Sequence, residues 1–231
     1  MPSRVRSRLS TCWVRASRRH DKKSYGQGLV SEFAKAFTAG GGTVVAAETI
    51  NPDDKNFSAV ISKIKGGAPE AVYYGGEYPQ AGPLSKQMKA AGLKIPLMGG
   101  DGIFSGEFVK LGGTNGDLAT SVGAPVDTLA SAKPFLEGYK AAGFAEGYEA
   151  YGAYSYDAAN AIIQALKTSL ASATDAKSAR EATIKAMASV SFEGATGKVA
   201  FDEFGDSVSR VLTVYAVTDG AWAAKKTGEL K

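Results

Sequence analysis

Thiol and imidazole chemistry is nearly absent from this 231-residue chain, which has one cysteine, Cys12, and one histidine, His20. A single cysteine excludes an intramolecular disulfide and a thiolate-rich metal site, and a single histidine excludes a two-histidine metal site. His20 then reads as a surface or strand-end residue. No run of 18 or more apolar residues occurs, so no segment has the length of a membrane-spanning helix. The chain also lacks a G-x-S-x-G nucleophile elbow, a G-x-G-x-x-G fingerprint and a P-loop lysine. Gly99-Gly100-Asp101-Gly102 is therefore a strand-to-helix turn and no nucleotide cradle. No cofactor is expected.

Basic charge is scarce outside one short segment. The formal net charge is +4, from 27 lysines and arginines against 23 acids. Residues 1–19 hold six of the arginines (Arg4, Arg6, Arg8, Arg15, Arg18, Arg19) with no lysine and no acid. Setting those six aside leaves 21 basic residues against 23 acidic ones, a mildly acidic body with no electrostatic attraction for nucleic acid. The Arg-rich leader has no apolar h-region of the secretory kind. It reads first as a wrong start or shifted frame ahead of His20, with a disordered tail and a transit-like targeting segment as alternatives.

What is present is an alternation of helical and strand periods. Leu29, Val30, Phe33, Ala34 and Phe37 recur at helical spacing, and Gly40-Gly41-Gly42 stops that helix. Residues 43–49 (TVVAAET) read as a buried strand. Phe57, Val60, Ile61 and Ile64 mark a second helix ended by Gly66-Gly67. Residues 71–74 form the next strand, Ala81, Leu84, Met88 and Ala91 line a third helix, and 96–98 and 119–122 are further strands. Strands separated by helices of this length make a parallel sheet with right-handed crossovers. The pattern calls for one more strand just before Ser24, where residues 13–19 (WVRASRR) carry too many charges for a buried central position. After Pro125, three helices are expected at 132–142, 149–170 and 177–189, with Tyr154 in the core. Strand-like runs at 197–201 and 211–217 flank a hairpin turn, Asp202–Asp206 (DEFGD).

Ligands of open α/β sheets bind beyond the carboxyl ends of the strands. The strand-to-helix connections there carry Tyr25, Glu77 and Asp101, and three such turns of one sheet open on one edge. A carboxylate partly removed from water needs a positive partner, and a ligand ammonium supplies it through charge-assisted hydrogen bonds worth about 1.5–3 kcal/mol each. Tyrosine adds an apolar wall with a hydroxyl handle. Tyr151, at the entry of a later helix, faces a cleft in this reading. An acid/base pair of Glu77 and Asp101 would be the enzymatic alternative.

The runs HDKKSYGQGL, FSAVISKIKGGAPEAVYYGG, PLSKQMKAAGLKIPLMGGDG and TGKVAFDEFGD resemble the periplasmic branched-chain amino-acid-binding proteins, the type I solute-binding proteins of ABC importers. The resemblance covers residues 20–222 and implies a type I periplasmic binding fold with a parallel-sheet C-terminal lobe and an incomplete N-terminal lobe. Beyond the anomalous Arg-rich leader at 1–19, it implies the C-terminal lobe at 20–123, helices of the incomplete N-terminal lobe at 124–195, and return strands with a tail at 196–231.

By position, Tyr25 matches the family's aromatic residue in the YGxGL block. Asp101 matches the acid that holds the ligand α-ammonium, and Tyr151 an aromatic residue of the side-chain pocket. Glu77 stands where relatives have an aromatic residue, a departure that suggests a more polar ligand than leucine. The implied function is capture of a small amino acid of the leucine, isoleucine and valine class, or an amide, without catalysis. The implied partner is a membrane permease, the location periplasmic without a signal peptide in this chain, and the full-length form a monomer. A ligand-sensing amide or amino-acid receptor domain of the same fold is the alternative. As a fragment lacking the groups that grip the ligand carboxylate, the chain is expected to bind poorly and to expose apolar helix faces.

Overall fold

The computed structural model describes residues 15–171 and 173–230. Cys12 and the arginines Arg4, Arg6 and Arg8 lie outside the described residues. The chain divides into two compact units. The first holds the residues up to Ile103, with Glu107–Ala119 and Val217–Ala221; the second holds Phe104–Gly106, Thr120–Ala216 and the residues from Trp222 onward.

The first unit is built on parallel strands in the order β2-β1-β3-β4-β5. These are β1 (Arg15–His20), β2 (Thr43–Thr49), β3 (Ala71–Gly75), β4 (Leu97–Gly99) and the start of β5 (Leu118–Val122). Helices α1 (Ser24–Ala39), α2 (Ser58–Gly67), α3 (Tyr78–Ala90) and α4 (Gly106–Leu111) alternate with them. All five residues of β3 are buried, as a continuous apolar run in a covered parallel sheet requires. Phe33 of α1 stacks on Tyr73 of β3 with ring centroids 4.0 Å apart, and on Phe37 one turn later at 5.2 Å. The i, i+4 spacing of Phe33 and Phe37 thus becomes an aromatic seam between helix and sheet.

One expectation needs correction here. The charges of residues 13–19 did not prevent a central strand: β1 pairs with β2 on one side and β3 on the other. Pairing is a property of the backbone, and the strand buries the small Ala16 completely. At its first residue the charge leaves the sheet. The exposed Arg15 guanidinium donates to Gly67 O at 2.8 Å, at the negative carbonyl end of α2. Helix α2 ends at Gly66-Gly67 as expected, and Ala68 takes the left-handed cap at φ 45°, ψ 54°.

A buried carboxylate ties the opposite strand ends together. Asp117, fully buried, accepts from the backbone N–H groups of Leu97 and Thr114, each at 2.9 Å. It also accepts from the Ser85 hydroxyl and from Lys89 Nζ at 3.4 Å. With the Thr114 hydroxyl at 3.2 Å, five donors from α3 and the segments around β4 and β5 replace the water this carboxylate has lost.

The second unit contains α5 (Lys133–Ala142), α6 (Gly152–Ser169), α7 (Ala176–Met187), β6 (Ser191–Gly194) and β7 (Gly197–Ala200), with most of β8 (Val211–Thr218) and β9 (Ala221–Glu229). One core cluster joins Phe135, Ala153 and Ala195; another joins Ala161, Ala165 and Val190. β6 and β9 are absent from the sequence reading. The turn at 202–206 is present, held by the Asp202 carboxylate accepting from the N–H groups of Phe204 and Asp206 at 2.9 Å each. The strand β7 before it, however, has its ladder with β6, and β8 neighbours β9. Asp219 and Gly220, with φ of 51° and 78°, form the two-residue primed turn between β8 and β9. Of the segment 196–231, only Val217–Ala221 belongs to the first unit. On α6 and α7, Ile162, Ile163 and Ile184 are exposed. Among the described residues no helix is long and apolar enough to cross a membrane.

Candidate functional site

Because β1, β3 and β4 run parallel and adjacent, the segments leaving their carboxyl ends meet at one rim of the first unit. Tyr25 stands in the first turn of α1, after β1. Asp101 opens the single 3-10 turn Asp101–Ile103 after β4. Glu77 precedes α3, after β3. His20 ends β1, where its Nδ1 accepts from Lys22 N–H at 3.1 Å.

The structure joins two of the three predicted rim residues directly. The Tyr25 hydroxyl donates to the Asp101 carboxylate at 2.6 Å and accepts from the Gly102 N–H at 3.1 Å. A phenol between a carboxylate and an amide N–H is oriented from both sides, and its ring remains 41% exposed. Two glycines make room for this. A Cβ on Gly102 would lie 2.8 Å from Gly76 O and 3.1 Å from the Tyr25 hydroxyl, and one on Gly26 would strike Gly75 O. A side chain at Gly26 would push α1 away from the end of β3, and one at Gly102 would press on the loop at Gly76.

Asp101 also acts on the strand below it. Burial, with the Asp101 charge adding to it, pushes the Tyr73 phenol up to about 12. The neighbouring Tyr74 is pushed higher still by burial and then by Asp21 and Glu77. Both phenols are neutral at physiological pH.

Glu77 shares the rim but not the Tyr25–Asp101 contact. Its carboxylate is met by Lys23 Nζ at 3.2 Å, with both side chains half exposed. Tyr151 caps the start of α6 in the second unit and is half exposed. Tyr154, expected in the core, is partly buried and donates to Val122 O at 2.7 Å. Lys23 and the Gly102 N–H were missed from the sequence. Lys23 is one of many lysines, and a backbone donor has no compositional signature. Among the described residues no group of three or more metal-ligating side chains occurs.

The profile of the periplasmic binding protein family matches residues 19–221. A Leu/Ile/Val-binding protein homologue of Brucella melitensis is 32% identical over 203 residues, which are 87% of this chain and 53% of that protein. Among solved structures, the leucine-binding protein LivK of Thermotoga maritima superposes with a TM-score of 0.82 at 28% identity, covering 93% of this chain and 60% of LivK. The substrate-binding protein LivJ of Streptococcus pneumoniae, in complex with isoleucine, superposes at 0.76 with 25% identity, covering 96% and 61%. The chain thus spans about half the length of the curated relatives it matches.

Proposed function

The chain belongs to the periplasmic binding protein family, and from that premise we propose that it captures a small amino acid of the leucine, isoleucine and valine class. The delivery partner in this reading is the membrane permease of an ABC importer, and the place of action is the periplasm. The relatives' names support it, and one observation of this chain carries it. A rim carboxylate, Asp101, is held by a phenol and stands one residue from an oriented amide N–H. Such a carboxylate suits an ammonium group, whose charge-assisted hydrogen bonds to it are worth about 1.5–3 kcal/mol each. Tyr25 orients the acid and walls the ligand. Glu77, engaged by Lys23, adds a polar neighbour in place of an aromatic one.

In this reading the chain captures its ligand without transforming it: Asp101 is engaged by Tyr25 and Glu77 by Lys23, so the two acids have separate partners. The rim described here grips the ammonium end of a ligand, so the affinity of this chain is expected to be weak. Ligand-observed NMR detects such binding. Isoleucine is expected to receive saturation transfer from the chain, and Asp101→Asn to weaken it by about ten-fold. Equal transfer in Asp101→Asn, with the fold intact by circular dichroism, would sink the reading.

A further inference from the structure

The second unit carries an open-mouthed cavity of about 400 Å³ that shares no lining residue with Tyr25, Glu77, Asp101 or Tyr151. Its inner wall is aromatic. Phe104 lies over Tyr215 with ring centroids 4.0 Å apart and meets Trp222 edge-on at 5.7 Å. Tyr148 and Tyr154 complete the wall. Three of these rings are tethered. The Trp222 indole N–H donates to Ser105 O at 2.9 Å, Tyr154 is tied to Val122 O, and Tyr148 packs edge-on against Phe135 at 5.5 Å.

The charge on the lining has one sign. Asp127 and Glu149 stand at the exposed mouth, and no lysine or arginine lines the cavity. Asp127 reaches inward electrostatically: burial first, and then its charge, raises the Tyr148 phenol, and it adds to the rise that burial causes at Tyr215. Glu149 is held at φ 49°, a left-handed conformation that costs a non-glycine residue about 1 kcal/mol or more and is maintained by its surroundings. The next turn closes behind it, with Gly152 N–H donating to Tyr148 O at 2.8 Å.

We propose that this cavity is a second binding site, for an organic cation with an apolar body, such as a substituted ammonium. Aromatic faces present negative quadrupole to a cation, and the attraction strengthens as water is excluded. Two carboxylates at the mouth add long-range attraction and a direct partner for the charge. An anionic ligand meets two like charges with nothing to offset them, and a purely neutral one leaves the carboxylates unused. The volume admits a molecule well above the size of a water cluster and within the range of small-molecule sites.

Choline is a suitable probe, and 3,3-dimethyl-1-butanol is its uncharged isostere. The reporter is the indole N–H resonance of Trp222 in the full chain, assigned by its loss in Trp222→Phe. Choline is expected to shift it saturably, and the neutral isostere to bind about ten-fold more weakly or less. The double variant Asp127→Asn, Glu149→Gln is expected to lose about ten-fold in choline affinity. Both carboxylates are exposed, so the variant keeps its fold, checked by its unfolding midpoint. Asp101→Asn leaves choline affinity unchanged while it weakens isoleucine transfer, which separates this site from the rim. No saturable shift, equal binding of the isostere, or an unaffected double variant would each overturn the proposal.

Discussion

Asp157 of α6 and Thr196 of the β6–β7 turn are joined twice: the carboxylate accepts from the Thr196 N–H at 2.7 Å and from its hydroxyl at 2.6 Å. The other carboxylate oxygen accepts from Ala195 N–H at 2.8 Å. The whole group is buried, and Gly194 leaves it room, since a Cβ there would lie 2.5 Å from Oδ1. The hairpin is thus fastened to the helix by one acid.

Removing that acid strands three donors in a buried place. Asp157→Ala is expected to lower the unfolding free energy by about 3 kcal/mol, since each buried unsatisfied donor costs roughly 1–3 kcal/mol and some regain water. Urea unfolding followed by circular dichroism measures it. A loss below about 1 kcal/mol would mean that the hairpin reorganises around other partners.

Ala68 offers the opposite sign. It is exposed and held at φ 45°, where a left-handed L-residue costs roughly 1–2 kcal/mol and glycine almost nothing. Ala68→Gly should therefore stabilise the first unit by about 1 kcal/mol, less the extra entropy of glycine in the unfolded chain. A rise of the thermal midpoint is the expected outcome; a fall would show that the cap is unstrained.

Stability should also decline in strong base. Burial raises Tyr73 and Tyr154 from the ordinary 10 to about 12, so between these values the unfolded chain has released protons that the folded chain keeps. The folded state then binds more protons, its stability is whole below pH 10, and it falls as pH climbs toward 12. Tyr73, only 6% exposed, contributes roughly 2 kcal/mol to that fall. Unfolding titrations from pH 9 to 12 on the parent and Tyr73→Phe check this: the variant should show the shallower slope.

Much of the first unit was legible in the chain because periodicity reports burial. The run TVVAAET is strand β2, residue for residue, and the helix at Leu29–Phe37 stops before Gly40-Gly41-Gly42 as read. The rim was legible for the same reason: parallel strands put their following loops on one edge, so Tyr25 and Asp101 followed from element order alone. β1 was not legible. A reading based on side-chain charge discounts a strand whose pairing comes from backbone groups and whose first arginine reaches a helix end. β6 and β9 escaped because SFEG and AWAAKKTGE lack clean alternation.

Local pattern by itself determined which segments alternate, where acids and phenols sit relative to strand ends, and that thiolate and paired-histidine chemistry is excluded. Only tertiary structure decided the partners. Lys23 meets Glu77, β7 takes β6 rather than β8, and Asp117 and Asp157 gather donors far along the chain. The physical reason is that burial and hydrogen bonding are properties of pairs. A sequence states each member, and the fold determines the distance between them.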